Sequence, residues 1–244
     1  KRSVFITGCN RGIGLGLVKE FLNNHNVSVV IAGTRNLANA GDLLSLGDDP
    51  RLHFVEIDVQ KEETIKTAFT KIKAENLLGE SGLDVLINNA GICFPLNVDA
   101  PIDREGVRVN WDVNCTGTIA VTQNFKPLLL KAAARKGSAY VINMSSIMAS
   151  MTNTFGPMGE RHMTGYSMSK AALNMLTRCL SMGWKDEHIG VTSISPGWVQ
   201  TEMGGEGAEI SVEESAEGLV RFAMIMTEEH SGKYYNYDGT EIEW

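Results

Sequence analysis

The chain has 244 residues, 43% of them hydrophobic and 21% charged, ordinary globular proportions that can bury one large core. Its 22 Lys and Arg against 29 Asp and Glu give a net charge of −7, which disfavours nucleic acid or anionic lipid as the main partner, since both select clustered positive charge. No apolar run approaches a membrane span, and Cys9, Cys93, Cys115 and Cys179 show neither metal-ligand spacing nor a disulfide framework, so no metal is expected and a reduced, cytoplasmic setting is.

Lys1-Arg2 followed by Val4-Phe5-Ile6 reads as a first core strand rather than a signal peptide. Strands are expected over residues 3–7, 28–33, 52–57, 85–88, 139–144, 191–195 and 233–236. Continuous apolar runs such as Val29-Val30-Ile31-Ala32 and Val85-Leu86-Ile87 fit parallel strands covered on both faces. Helical periods alternate with them. Ile65, Ala68, Phe69 and Ile72 make one stripe, residues 102–121 a less clean helix, and Leu173, Leu176 and Leu180 a helix starting near Gly165. Ala216, Leu219, Val220 and Ala223 follow a capping-box start at Ser211 and Glu214. Strict βα alternation without a linker or repeat predicts a single α/β domain over residues 1–244, a doubly wound Rossmann-type fold with a mostly parallel seven-stranded sheet and helices on both faces. Ligands of such sheets lie beyond the carboxyl ends of the strands.

The first strand runs into Thr7-Gly8-Cys9-Asn10-Arg11-Gly12-Ile13-Gly14, a Gly-x3-Gly-x-Gly turn leading to a helix. Glycines there let the backbone turn tightly and approach a pyrophosphate, whose charge a helix N-terminus favours. The second strand ends in Gly33-Thr34-Arg35-Asn36, without the acid that usually binds the adenosine ribose of NAD. Arg35, with Arg11 from the glycine turn, is instead suited to a 2′-phosphate, which predicts NADP(H). Read alone, either arginine is equally a solvated surface residue.

Tyr166 and Lys170 stand at i and i+4 and share a helix face. A phenol is a poor acid near neutrality, and a neighbouring ammonium favours its ionised form. The pair, together with an oxidised nicotinamide, predicts a phenol of lowered pKa, although Tyr-x3-Lys by itself is common in helices.

Thr7-Gly8-x3-Gly12-x-Gly14, Asn88-Asn89-Ala90-Gly91, Ser145-Ser146, Tyr166-x3-Lys170 and Pro196-Gly197 together resemble the short-chain dehydrogenase/reductase family, in order and over nearly the whole chain. The similarity is closest to the Sniffer-type carbonyl reductases, through Ile142-Asn143-Met144-Ser145-Ser146, Pro196-Gly197-Trp198-Val199 and Asn236-Tyr237-Asp238-Gly239-Thr240. The resemblance implies a catalytic set. Tyr166 would protonate the substrate oxygen, Lys170 would bond the nicotinamide ribose and tune Tyr166, and Ser146 would bond the substrate carbonyl. Asn114, rather than Asn110, would hold a relay water, with Ser145 structural. It also implies cofactor contacts from Gly8, Asn10, Arg11, Gly12, Ile13 and Gly14 in the turn, and from Arg35, Asp58 and Val59. Asn89, Ala90, Gly91, Pro196, Gly197, Val199 and Thr201 complete that set, while Asn88 reads as a strand brace and Thr201 equally as a turn cap. The implied activity is NADPH-dependent reduction of an aldehyde or ketone, the small-molecule partner, and a homodimer is compatible with the family's habit. A non-catalytic NADP(H)-binding redox sensor is the competing reading.

Two departures matter. Ser146 and Tyr166 lie 20 positions apart, longer than the family's usual dozen or so, and the surplus falls in a predicted loop at 151–164 that reshapes the pocket and could obstruct helix-to-helix assembly. Residues 201–210, with Gly204, Gly205 and Gly207, read either as a lid or as a plain flexible loop. Met148, Met151, Phe155, Met158, Met163, Trp198 and Met203 in and beside these segments read as adaptable pocket wall or as core.

Overall fold

A computed structural model of the protein describes residues 1–96, 99–153 and 163–244. Seven strands, β1 (Arg2–Thr7), β2 (Val27–Thr34), β3 (Leu52–Glu56), β4 (Val85–Asn88), β5 (Ala139–Met144), β6 (Ile189–Ser195) and β7 (Tyr234–Asn236), form one sheet in the order β3-β2-β1-β4-β5-β6-β7. All six pairings are parallel, so the sheet is wholly rather than mostly parallel.

The apolar strand runs explain the layering. Val4 and Ile6 point to one face of β1 and join a core with Leu17, Val18 and Phe21 of α1 (Gly12–Asn23) and with Leu219, Val220 and Ala223 of α7 (Val212–Ile225). Phe5, between them in sequence, points to the other face. There it stacks on Phe125 of α5 (Thr118–Lys136) with centroids 4.5 Å apart, above Ile65, Ala68 and Ile72 of α3 (Glu62–Ala74). Helix α2 is a single turn (Gly41–Leu44), and α6 (Thr164–Gly183) packs on β6 and on α4 (Arg104–Trp111).

The predicted helix at 102–121 is interrupted. Helix α4 starts at Asp103, whose carboxylate accepts from the Glu105 and Gly106 N–H groups. A π-helical stretch, Asp112–Gly117, then leads into α5. Such widened turns gather at functional sites, and this one carries Asn114. The predicted capping box of α7 is half formed, with Ser211 accepting from Glu214 N–H. Among the described residues, no helix is long and apolar enough to cross a membrane.

The strand order reverses between β1 and β4. Crossovers leave in opposite directions there, which opens a crevice at the carboxyl edge.

Candidate active site

The glycine turn sits in that crevice and is tightly supported. Gly8 and Gly12 have φ of +74° and +54°, conformations L side chains rarely adopt. A Cβ on Gly14 would stand 2.0 Å from Gly8 O, so the start of α1 lies directly on the turn. Asn89 holds the turn from β4. Its Nδ2 donates to Thr7 O at 2.9 Å and Gly8 O at 3.1 Å, while the Asn89 and Ala90 N–H groups donate to Thr7 Oγ1 at 3.1 and 3.0 Å. The amide of Asn89 therefore braces the turn, and Thr7, which heads the glycine motif but carries no assigned role in the sequence, is its supporting hydroxyl.

Helix α1 begins with no side-chain cap and no acid in its first turn, so its N–H groups face the crevice edge without a competing carboxylate of their own. Arg11 forms an exposed ion pair with Glu202 of the 201–210 segment. Arg35, just past β2, is exposed and makes no ion pair among the described residues. Past β3, Asp58 accepts from Gln60 N–H at 3.1 Å and faces Lys61 at 3.6 Å, while Val59 packs on Gly117 of the π-helical stretch.

Beyond β4, two asparagines clamp the loop that follows. Asn114 Oδ1 accepts from Ile92 N–H at 2.9 Å, and its Nδ2 donates to Ile92 O at 2.8 Å and to Ser169 Oγ at 2.9 Å. One turn earlier, Asn110 does the same to Phe94. Side-chain spacing does not separate the two, but their surroundings do. A Cβ on Gly91 would meet Asn114 Oδ1 and Lys170 Nζ, each at 3.4 Å, so only Asn114 shares space with the lysine. Asn88 is a brace, as expected, donating to Thr122 Oγ1 and Asn143 Oδ1 at 2.8 and 2.9 Å.

Ser145 and Ser146 at the end of β5 diverge. Ser145 is buried and donates to Asn174 Oδ1 at 2.7 Å, whereas Ser146 is half-buried and its hydroxyl favours the ionised form of the Tyr166 phenol. Lys170 is buried, donates from Nζ to Met144 O at 2.7 Å, and lies 5.7 Å from the centre of the Tyr166 ring.

Among the protein's own groups, loss of water dominates the electrostatics of the pair. Burial, followed by the nearby Cys93, raises the Tyr166 phenol above its ordinary value, and only the Ser146 hydrogen bond lowers it. Lys170 is itself pulled down to about 8, chiefly by desolvation, with Cys115 and Cys93 offsetting part of that. Sequence spacing placed the ammonium correctly but carried no information on how much water both groups lose. Burial likewise raises the Cys93 and Cys115 thiols, which makes neither a ready nucleophile.

Past β6, Gly197 has φ +81° and lies under Ile210 and Tyr237. The 201–210 segment is a folded loop. Val199 and Ile210 bridge its ends, Trp198 Nε1 donates to Gly204 O at 2.8 Å, and Gly207 lies against the Trp198 ring. Thr201 does cap a turn, accepting from Gly204 N–H at 3.1 Å, while its methyl lies near Gly12. Met151 and Met203 are exposed, and Met163 meets Cys93 Sγ with its sulfur at 3.6 Å. Phe155, Met158 and most of the 151–164 loop lie outside the described residues.

An open parallel sheet that turns a glycine loop, a phenol and a buried lysine toward one crevice defines an oxidoreductase of the dinucleotide-binding class. Comparison makes this specific: residues 2–210 match the model of the short chain dehydrogenase family, and the chain belongs to that family. It is similar to an NADPH-bound carbonyl reductase from chicken fatty liver, at 35% identity over 100% of this chain and 99% of that one, with a TM-score of 0.91. The carbonyl reductase Sniffer of D. melanogaster matches at 34% identity over the same shares, with a TM-score of 0.92. An oxidoreductase of Schizosaccharomyces pombe is 32% identical over 98% of this chain and 96% of that protein. The similarity to Sniffer-type enzymes expected from the motifs is therefore upheld.

Proposed function

We propose that the chain is an NADPH-dependent carbonyl reductase acting on an aldehyde or ketone, with Tyr166 as the proton donor. The observation that carries this is the buried Lys170, whose Nζ lies 5.7 Å from the centre of the Tyr166 ring one helical turn away, at the same sheet edge as Ser146 and the glycine turn. The glycine turn fits a dinucleotide, since its backbone is bare where a Cβ would close it, and the α1 N–H groups and Arg35 suit phosphates. The chicken enzyme binds NADPH, which supports the same choice here. When bound, the reduced nicotinamide supplies the hydride for the carbonyl carbon.

The residues of the chain then handle the oxygen. Ser146 donates a hydrogen bond to the carbonyl oxygen and holds it beside Tyr166. As hydride arrives, that oxygen takes the phenolic proton, leaving an alcohol and a tyrosinate. A raised phenol pKa is compatible with this direction, because an alkoxide is a far stronger base than a phenolate and the phenol stays protonated at neutral pH. Lys170, still mostly charged at neutrality, stabilises the tyrosinate and offers N–H donors to the ribose. Asn114 orders the loop and helix around Lys170.

The test is Tyr166→Phe, assayed by NADPH absorbance with a panel of quinones, diketones and aromatic aldehydes. Turnover is expected to fall at least a thousandfold, with NADPH affinity within about threefold of the parent. A variant with wild-type turnover removes Tyr166 from the chemistry. NADPH binding by the parent chain without consumption across the whole panel would favour a redox sensor.

A further inference from the structure

Tyr234 belongs to none of the motifs, and its surroundings are unusual for a phenol. It opens β7, its ring is fully buried, and Trp244 stacks on it with centroids 5.4 Å apart. Its hydroxyl donates to the main-chain oxygen of Ser146, 88 residues earlier in the chain. Burial holds that phenol above its ordinary value, with Ser145 and Asn174 offsetting part of the rise and Tyr166 adding to it.

We propose that Tyr234 is a positioning residue for the reaction, anchoring the Ser146–Ile147 peptide so that the Ser146 hydroxyl is presented to Tyr166 and the substrate oxygen. The proposal rests on the roles assigned above to Ser146 and Tyr166. Its basis is the way that peptide is held. Its carbonyl accepts from Tyr234, and its N–H, on Ile147, donates to Ser195 Oγ at 3.1 Å. Both polar atoms of one peptide unit are thus tied to side chains from β7 and β6, which prevents the unit from rolling about the chain axis. Ser146 itself is extended, with φ −161° and ψ 147°, at the junction between β5 and the single 3-10 turn Ile147–Ala149. Among the described residues its Oγ accepts only a long 3.3 Å bond from Met148 N–H, so that contact fixes the hydroxyl weakly and leaves its proton to be donated. The main-chain anchor is the stronger constraint on where Oγ points.

The anchor is in turn braced. Trp244 covers the Tyr234 ring, and its carbonyl accepts from Thr152 N–H and Oγ1 at 3.4 and 3.2 Å. Ser150 Oγ donates to Glu243 O at 2.5 Å, which closes the 150–153 turn on the same C-terminal segment. The segment that leaves Ser146 is therefore held at its root by a phenol and further on by the strap that covers the phenol. This link runs from a buried aromatic pair to the position of one catalytic hydroxyl.

The experiment compares Tyr234→Phe, Trp244→Leu and Tyr166→Phe in the full chain, with NADPH titration counting the folded, binding-competent fraction. Tyr234→Phe keeps the stacked ring and removes only the hydroxyl. Its kcat is expected to fall at least fivefold while NADPH affinity stays within twofold. The Ser146 hydrogen bond is what draws the Tyr166 phenol down, and Lys170, Cys93 and Tyr234 are the other titratable groups facing it. The pH limb on which alcohol oxidation rises should accordingly move to higher pH in Tyr234→Phe. Trp244→Leu retains the hydroxyl on a looser ring and should lose less kcat; if Tyr234→Phe does not fold, Trp244→Leu decides the matter by the same criteria. Wild-type kcat with an unmoved limb, or kcat and NADPH affinity lost in equal measure, overturns the positioning role. An active Tyr166→Phe instead overturns the proposed chemistry, and this inference with it.

Discussion

Lys170 shows what a buried ammonium costs the fold. Desolvation brings it down to about 8, whereas in the unfolded chain it returns to about 10.4. Below about pH 8 the amine is charged in both states, and the folded protein bears the whole burial penalty, about 3 kcal/mol at 1.36 kcal/mol per decade. Between about 8 and 10.4 the unfolded chain binds more protons than the folded one, so stability climbs with pH and the penalty disappears above that window. Lys170→Met should therefore be more stable than the parent at pH 7, even after losing the bond to Met144 O. A rise in Tm of roughly 2–6 °C is expected, shrinking toward zero by pH 10, together with loss of turnover. Thermal unfolding of both proteins at the two pH values checks this, and a lower Tm at pH 7 would show that the ammonium stabilises the fold.

At the scale of elements, the glycine turn and α1 behave as one unit, because the helix starts against the turn's own carbonyl. Gly14→Ala would place a methyl 2.0 Å from Gly8 O and 2.7 Å from Asn89 Nδ2, both parts of the brace itself. The turn has to open, at a cost of about 1–3 kcal/mol, and NADPH affinity should fall more than tenfold in a fluorescence titration. Gly41→Ala, with open space around it at the start of α2, is the control and should change neither affinity nor Tm appreciably. The same unit shows what a sequence reveals. Strand positions and the glycine turn were legible because apolar runs and φ-demanding glycines are local signals, and β4 and β5 match their expected bounds. The break in the 102–121 helix was not, because a π turn arises where asparagines reach across to another loop, a tertiary contact with no periodic trace. Tyr234 shows in the sequence only as part of the last strand, since its partner Ser146 is brought to it by the sheet, through β5 and β6. The Tyr166–Lys170 spacing is legible, but the water both groups lose is not, and among the protein's own groups that loss sets the direction of the phenol's shift.

Over the whole molecule, the residues proposed to hold the dinucleotide are spread across the carboxyl edge, from Gly8 after β1 through Arg35, Asp58 and Asn89 to Thr201 after β6. They follow five different strands, so a ligand bridging them adds cross-links that the unfolded chain lacks. Binding at about a hundredfold over Kd contributes about 2.7 kcal/mol, which for a chain of this size is a rise in Tm of roughly 5–10 °C. NADH should give a smaller rise at equal concentration, because a guanidinium–phosphate contact is worth about 1.5–3 kcal/mol. Arg35, exposed and free of an ion pair among the described residues, can make that contact without breaking another. Arg11 must first leave Glu202, although exposed ion pairs of that kind contribute only about 0–1 kcal/mol. Arg35→Asp should therefore erase most of the NADPH advantage in the thermal shift and leave the response to NADH equal or larger. Equal shifts with the two dinucleotides in the parent chain would mean that neither arginine reads the 2′-phosphate, and an undiminished NADPH preference in Arg35→Asp would transfer that role to Arg11.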